Sequence, residues 1–94
     1  MTAAHWQYPV ELREALAACG LAPTTATPPR IAREALDDLY RGELRRLRDR
    51  LAAGEIEKAG YADAVIVLRR KYWPLTLPLD AWERICAMSG AQET

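Results

Sequence analysis

The chain has 94 residues, which suffices for one domain and lies near the lower limit for a self-sufficient hydrophobic core. Half of the residues are hydrophobic, and this composition excludes a disordered or a fibrous protein. The 13 basic and 13 acidic side chains cancel, so no global field attracts nucleic acid or a membrane surface. Any basic patch must therefore be local.

The N-terminal stretch MTAAHWQYPV lacks the basic start and the apolar run of a secretory signal. The longest apolar run, Ala64 to Leu68, is far shorter than the about 20 residues that cross a bilayer. We therefore expect a cytoplasmic protein without membrane contact, in which Cys19 and Cys86 are reduced thiols that fill the core. Abundant Leu, Ala, Arg and Glu with no Asn is typical of bacterial sequences rich in GC codons.

The first predicted helix spans about residues 9–19. Pro9 suits a first helical turn, where its missing N–H costs nothing, and Gly20 suits the left-handed residue that ends a helix. The stretch LAPTTATPP that follows holds three prolines and three threonines, so it can form neither a helix nor a central strand. We expect a linker over residues 20–28 that lets the first helix fold back or reach another chain.

A long second helix is predicted over residues 29–53, starting at Pro29 and ending before Gly54. Its apolar residues recur at intervals of 4, 4, 3 and 4, which prepares one face for packing against another helix. These residues are Leu36, Tyr40, Leu44, Leu47 and Leu51.

A third helix is predicted over residues 58–72. Its main apolar face carries Tyr61, Val65, Leu68 and Tyr72 at intervals of 4, 3 and 4. The remaining sides carry Ala64, Ile66 and Val67. A helix that is apolar nearly all round is buried nearly all round, and one partner helix cannot achieve that. Another part of the chain or a second subunit must therefore cover this helix.

The turn between these two helices carries a set of residues with characteristic spacing: Leu47, Leu51, Gly54, Ile56, Tyr61 and Leu68. This pattern, within about residues 44–72, resembles the short C-terminal domain called SHOCT, with its Gly-x-Ile turn and an aromatic residue five positions later. The resemblance implies a two-helix hairpin and self-association. It implies no chemistry.

The stretch WPLTLPL, residues 73–79, is predicted to be an extended apolar strap, because a proline disfavours helix at the residue before it. Side chains alternate in an extended chain, which places Trp73, Leu75, Leu77 and Leu79 on one side. The strap either packs on its own chain and closes the third helix, or crosses onto another chain. A fourth helix is predicted over residues 80–89, with Asp80 and Glu83 as a capping box.

Five arginines crowd the second half of the second helix: Arg41, Arg45, Arg46, Arg48 and Arg50. Acidic residues early and basic residues late in a helix match its macrodipole, so a solvated face accounts for most of this pattern. The alternative is a set of phosphate contacts that bind nucleic acid with strong salt dependence. A helix-turn-helix is excluded, because the third helix offers apolar side chains where base edges require polar ones.

The sequence offers little catalytic chemistry. His5 is the single histidine, and no phosphate-binding loop, Cys-x-x-Cys or His-Glu-x-x-His motif is present. We therefore predict no catalytic residue, no metal site and no cofactor, while a subunit that completes an enzyme with another chain stays open.

The sequence thus predicts an all-α fold: a long antiparallel helical hairpin flanked by two shorter helices, with an extended proline-containing apolar strap. Its predicted function is that of a non-catalytic protein–protein interaction module, either an accessory or assembly subunit or a self-associating domain. The predicted partner is another protein or a second copy, and nucleic acid is the alternative. The predicted interface consists of Tyr61, Tyr72, Trp73, Leu75, Leu77 and Trp82.

Overall fold

The computed structural model describes residues 5–87. In chain order it contains α1 (Val10–Ala18), α2 (Pro29–Ala52), α3 (Lys58–Lys71), a 3-10 turn (Trp73–Thr76) and α4 (Leu79–Ile85). No strand occurs within this part of the chain, so the prediction of an all-helical fold is confirmed for it. The residues predicted to end the fourth helix, 88 and 89, lie outside the described range.

Local sequence signals explain where the helices begin and end. Proline stands immediately before α1, α2 and α4, and α2 also starts with Pro29, whose fixed φ suits the first turn. Gly20 and Gly54 adopt left-handed φ values of 87° and 78° just after α1 and α2. The N–H of the residue after each glycine donates to a carbonyl five residues earlier. The Glu55 N–H, for example, donates to the Arg50 carbonyl at 2.9 Å. This is the Schellman arrangement, which satisfies carbonyls at the end of a helix.

The fully packed core lies at one end of the molecule, which we call the core end. It unites α1, the first part of α2, the last turn of α3 and α4. Its buried hydrophobic residues are Tyr8, Leu12, Leu16, Ala32, Leu36, Leu68, Tyr72, Trp82 and Cys86. The linker closes back on this core, because the Trp6 N–H donates to the Thr25 carbonyl and the Tyr8 hydroxyl donates to the Thr27 carbonyl. α1 therefore belongs to its own chain's core.

The other end, which we call the open half, consists of residues 44–67: the second part of α2, the turn and most of α3. Residues of this half are partly or fully exposed, and none is buried. The molecule is accordingly elongated, with extents of 58 × 19 × 19 Å and a radius of gyration of 16.4 Å. A compact domain of this length would have a radius of gyration of about 12 Å.

The proline-containing segment is not the extended strap that alternation predicted. Residues Trp73–Thr76 form a 3-10 turn in which the Leu75 N–H donates to the Tyr72 carbonyl. Pro74 is consequently buried and Trp73 exposed, the reverse of the predicted sides. The physical reason is that the fixed φ of proline suits the second position of a tight turn as well as it suits an extended chain.

α4 also differs from its prediction. It begins at Leu79 after Pro78, and no side chain caps its N-terminus. The Asp80 carboxylate instead lies 3.1 Å from the Arg84 guanidinium one turn later. Asp80 sits inside the first turn, too late to act as an N-cap.

Candidate contact surface

The last turn of α3 is tied to the middle of α2 by aromatic and polar contacts. The Tyr72 and Tyr40 rings lie 5.3 Å apart between centroids, at a tilt of 51°. The Tyr72 hydroxyl donates to the Glu43 carboxylate, and Lys71 Nζ lies 3.4 Å from the same oxygen. These contacts fix which side of α3 faces α2 and which side faces away.

The two thiols of the core end are not activated. Burial raises the pKa of the Cys19 thiol, and its hydrogen bond with Tyr72 and the Lys71 charge offset this only in part. Burial raises the pKa of Cys86 to about 11. Both cysteines are free. A thiol with a raised pKa is protonated at neutral pH and is a poor nucleophile, so both act here as apolar filling.

The six side chains predicted to form an interface do not form one surface. Tyr72 and Trp82 are buried inside the protomer and are not available to a partner. Leu75 and Leu77 pack partly buried against the core, and Tyr61 is also partly buried. Trp73 is 39% exposed and is the most accessible of the six. The burial of Tyr72 and Trp82 corrects the predicted interface, because their own chain supplies the cover.

The most exposed apolar side chains of the described chain include two on α3 that point away from α2. Val67 is 63% exposed and Ile66 is 48% exposed. They lie opposite the face formed by Tyr61, Leu68 and Tyr72, at the helical angles that α2 does not reach. Their neighbours on this outer side are exposed as well. We define the outer seam of α3 as Gly60, Asp63, Ile66, Val67 and Arg70.

Ile66 and Val67 are not among the residues that the sequence predicts for the interface. The signal that could have found them is the surplus of apolar residues on α3. Once the intervals of 4, 3 and 4 assign one face to α2, the apolar side chains that remain must face outward, and only a further element could cover them. α3 packs mainly on α2, so these residues stay exposed within the protomer.

The five arginines in the second half of α2 are exposed and divide between different sides of the helix. Arg41, Arg45 and Arg48 share one side by their spacing of 4 and 3, whereas Arg46 and Arg50 lie on another. Arg41 pairs with Asp37 at 2.8 Å and Arg50 with Glu55 at 3.5 Å. The predicted cluster is therefore a three-residue stripe on one side of α2, with one member already paired.

The clefts of the molecule are shallow. Two of about 360–370 Å³ lie beside α1 and share Arg13 and Pro23. A third, of about 360 Å³, lies between Tyr40, Tyr72 and Leu75. Across residues 5–87 there is no group of three His, Cys, Asp or Glu side chains that could hold a metal ion. None of these clefts includes the outer seam.

No protein family, curated protein or solved structure matches this chain. None of the helices in the described part of the chain is long and apolar enough to cross a membrane.

Proposed function

We propose that this chain is a non-catalytic, cytoplasmic protein–protein interaction module, a small accessory subunit or a self-associating domain. In this proposal α2 and α3 form a long antiparallel hairpin, the core end holds the hairpin rigid, and the outer seam of α3 presents the contact surface. The observation that carries the proposal is the exposure of Ile66 and Val67 on a helix that packs mainly against one other helix.

Ile66 and Val67 leave apolar side-chain surface in contact with water. Fully burying a Val or Ile side chain stabilises by about 1.5–3 kcal/mol, so two half-exposed aliphatic side chains leave a substantial part of that free energy unused. A partner that covers both would recover it. Asp63 and Arg70 border this pair and are also exposed. An apolar centre with a polar rim is the usual composition of a protein interface.

The resemblance to SHOCT supports the same proposal. Its pattern residues, including Leu47, Gly54 and Ile56, belong to the open half, except Leu68, which is buried at the core end. A hairpin that self-associates is what that resemblance implies. Leu47 and Ile56 are partly buried here, which is consistent with side chains that pack between two helices.

The test introduces the same charge at two exposed positions, one inside and one outside the outer seam of α3. Val67→Asp places a charge in the outer seam, whereas Ala52→Asp places the same charge on an exposed position of α2. Light scattering of the purified chain measures its mass in solution. Cross-linking followed by mass spectrometry identifies its contacts, both in the purified chain and in extracts of cells that express it. We expect Val67→Asp to lose the wild-type contact, with itself or another protein, and Ala52→Asp to keep it. Identical masses and cross-links for all three chains would contradict the proposal.

A second candidate function is binding to nucleic acid through the stripe of Arg41, Arg45 and Arg48. Arg45 and Arg48 support it, since neither forms an ion pair within residues 5–87. Three phosphate contacts predict a slope of about −3 for the logarithm of the association constant against the logarithm of salt concentration. Fluorescence anisotropy with a labelled duplex measures this slope, and Arg45→Gln with Arg48→Gln should reduce it to about −1.

A further inference from the structure

We propose that the outer seam of α3 binds a second copy of this chain, with the two α3 helices antiparallel and a two-fold axis between Ile66 and Val67. This inference depends on the proposed function and deepens it, because it names the partner and the register of the contact.

The first support is the symmetry of the seam about its centre. Ile66 and Val67 are adjacent, Asp63 lies three residues before Ile66, and Arg70 lies three residues after Val67. In a contact with two-fold symmetry, residue i of one copy faces residue j of the other, and j faces i. An axis between Ile66 and Val67 therefore brings Asp63 of each copy level with Arg70 of the other.

Helix geometry places these residues on one side. Asp63 and Arg70 are seven residues apart, which is close to two full turns, and Ile66 and Val67 lie between them at spacings of 3 and 4. This is the repeat by which one helix packs along another. The symmetric contact would have an aliphatic centre formed by four side chains, two from each copy, with an ion pair at either end.

The charges also select the direction of the partner helix. A parallel pairing in register would place Asp63 against Asp63 and Arg70 against Arg70, and like charges in contact are unfavourable. The antiparallel pairing replaces both repulsions with attractions. Neither Asp63 nor Arg70 forms an ion pair inside the described part of its own chain, so both are free to pair across the axis.

The ends of the seam leave room for close approach. A Cβ placed on Gly60 would meet no atom within 4 Å, so a partner's side chain can lie directly against the backbone there. In the antiparallel register, Gly60 of one copy is level with the segment that carries Trp73 of the other. Trp73 is 39% exposed. An indole over a bare glycine would extend the apolar contact beyond the ion pairs.

The size of this contact sets its expected strength. α3 has 14 residues, and a helix of that length is about 21 Å long. Two such helices bury less than the about 800 Å² per partner of a standard interface. We therefore expect a reversible dimer whose population rises with protein concentration.

The test is sedimentation velocity of the full chain at concentrations from about 10 µM to about 1 mM, a range that brackets weak association. The wild-type chain is compared with Asp63→Arg, with Arg70→Asp and with the double variant that exchanges the two charges. Each single change places like charges against each other at both ends of the contact, and should weaken the dimer at least about tenfold. The double variant restores opposite charges and should return to within about threefold of the wild type.

Arg48→Asp is the control, because it reverses an exposed charge on α2 outside the seam. It should leave the dimer unchanged. Circular dichroism of every variant checks that the helices are retained.

Three outcomes would overturn the inference: a wild-type chain that is monomeric throughout, single variants that dimerise as well as the wild type, or a double variant as weak as the single ones. The wild-type chain could also be monomeric and bind a different protein, with this binding lost in Val67→Asp. That outcome would overturn the symmetric dimer and leave the proposed function standing. A dimer that weakens in the single variants and recovers in the double variant supports both the symmetric dimer and the proposed function.

Discussion

Trp82 is the largest fully buried side chain among the described residues, and it joins two parts of the core end. Its Nε1–H donates to the Pro74 carbonyl at 2.9 Å, in a buried hydrogen bond between α4 and the 3-10 turn. Its rings fill the space among α2, α4 and the turn, so one residue combines apolar packing with the satisfaction of a buried carbonyl.

Replacing Trp82 by Phe should keep part of the packing and remove the hydrogen bond. The Pro74 carbonyl would then keep only the Leu77 N–H as a donor, and the loss of one hydrogen bond costs about 0.5–1.5 kcal/mol. Trp73→Phe changes an exposed ring and should shift the free energy of unfolding by no more than about 0.5 kcal/mol. Urea denaturation followed by circular dichroism measures both. Equal losses for the two variants would show that the buried hydrogen bond contributes little.

Glu43 should make the stability of the chain depend on acid pH. The hydrogen bond from Tyr72, followed by the Lys71 charge, holds the pKa of Glu43 below its ordinary value of 4.5. A group with a depressed pKa in the folded state contributes stability above the pKa of the unfolded chain. That contribution is lost as the pH falls from about 4.5 through the lower pKa of the folded state.

Thermal unfolding of Glu43→Gln and the wild type over pH 3 to 7 tests this expectation. The difference in melting temperature should be largest near neutral pH and should shrink below about pH 4.5. Glu14→Gln, at an exposed position of α1, is the control. A difference between wild type and Glu43→Gln that stays constant across this range would contradict the account.

At the scale of elements, the 3-10 turn is held by a residue far away in the sequence. Arg33 of α2 donates from Nε to the Leu77 carbonyl at 3.0 Å and from a terminal nitrogen to the Leu75 carbonyl at 3.2 Å. Together with Trp82 it fixes three carbonyls of this segment. The turn is therefore selected by tertiary hydrogen bonds.

Arg33→Met should loosen the turn while leaving the helices formed. Two carbonyls would lose a charged donor, and hydrogen bonds to charged groups contribute about 1.5–3 kcal/mol each. Hydrogen exchange read by mass spectrometry should show faster exchange in residues 75–81. Arg30→Met is the matched control, since Arg30 is exposed and forms an ion pair with the exposed Glu34 side chain one turn later. Comparable exchange in the two variants would mean that Arg33 does not hold the turn.

The contrast between α2 and the 3-10 turn shows which parts of the fold the sequence could predict. α2 runs from Pro29 to Ala52, within one residue of the predicted end, because Pro29 and Gly54 act locally on the backbone. The geometry of the turn could not be predicted, since proline permits both alternatives and Arg33, more than 40 residues away, decides between them.

The candidate surface was predictable in kind but not in its residues. An apolar pattern marks the faces that avoid water, but it does not say whether the same chain or a partner covers them. Tyr72 and Trp82 are covered by their own chain, whereas Ile66 and Val67 are exposed. The sequence shows that α3 carries more apolar residues than one partner helix can cover. Which of them stay exposed depends on how α1 and α4 pack, and the sequence does not show this packing.

At the scale of the whole molecule, burial changes along the long axis. Three or more elements enclose each other at the core end, whereas α2 and α3 alone form the open half. Local stability follows the number of buried apolar contacts, so the two ends should open with different free energies.

Native-state hydrogen exchange should show this gradient directly. The amides of residues 45–52 and 62–66 should exchange faster than those of residues 33–40, because only the latter belong to helix turns enclosed by several elements. The same measurement at high protein concentration should slow the exchange of residues 62–71 if two copies pair through α3. Uniform protection along α2 would contradict the gradient.

The 58 Å length against a 19 Å width also determines how this protein migrates through a porous matrix. A rod about three times longer than it is wide tumbles and diffuses more slowly than a sphere of equal mass. On a gel-filtration column calibrated with globular standards, a single protomer will elute earlier than its mass alone predicts. Elution volume would thus report shape as well as mass, whereas scattering intensity reports mass.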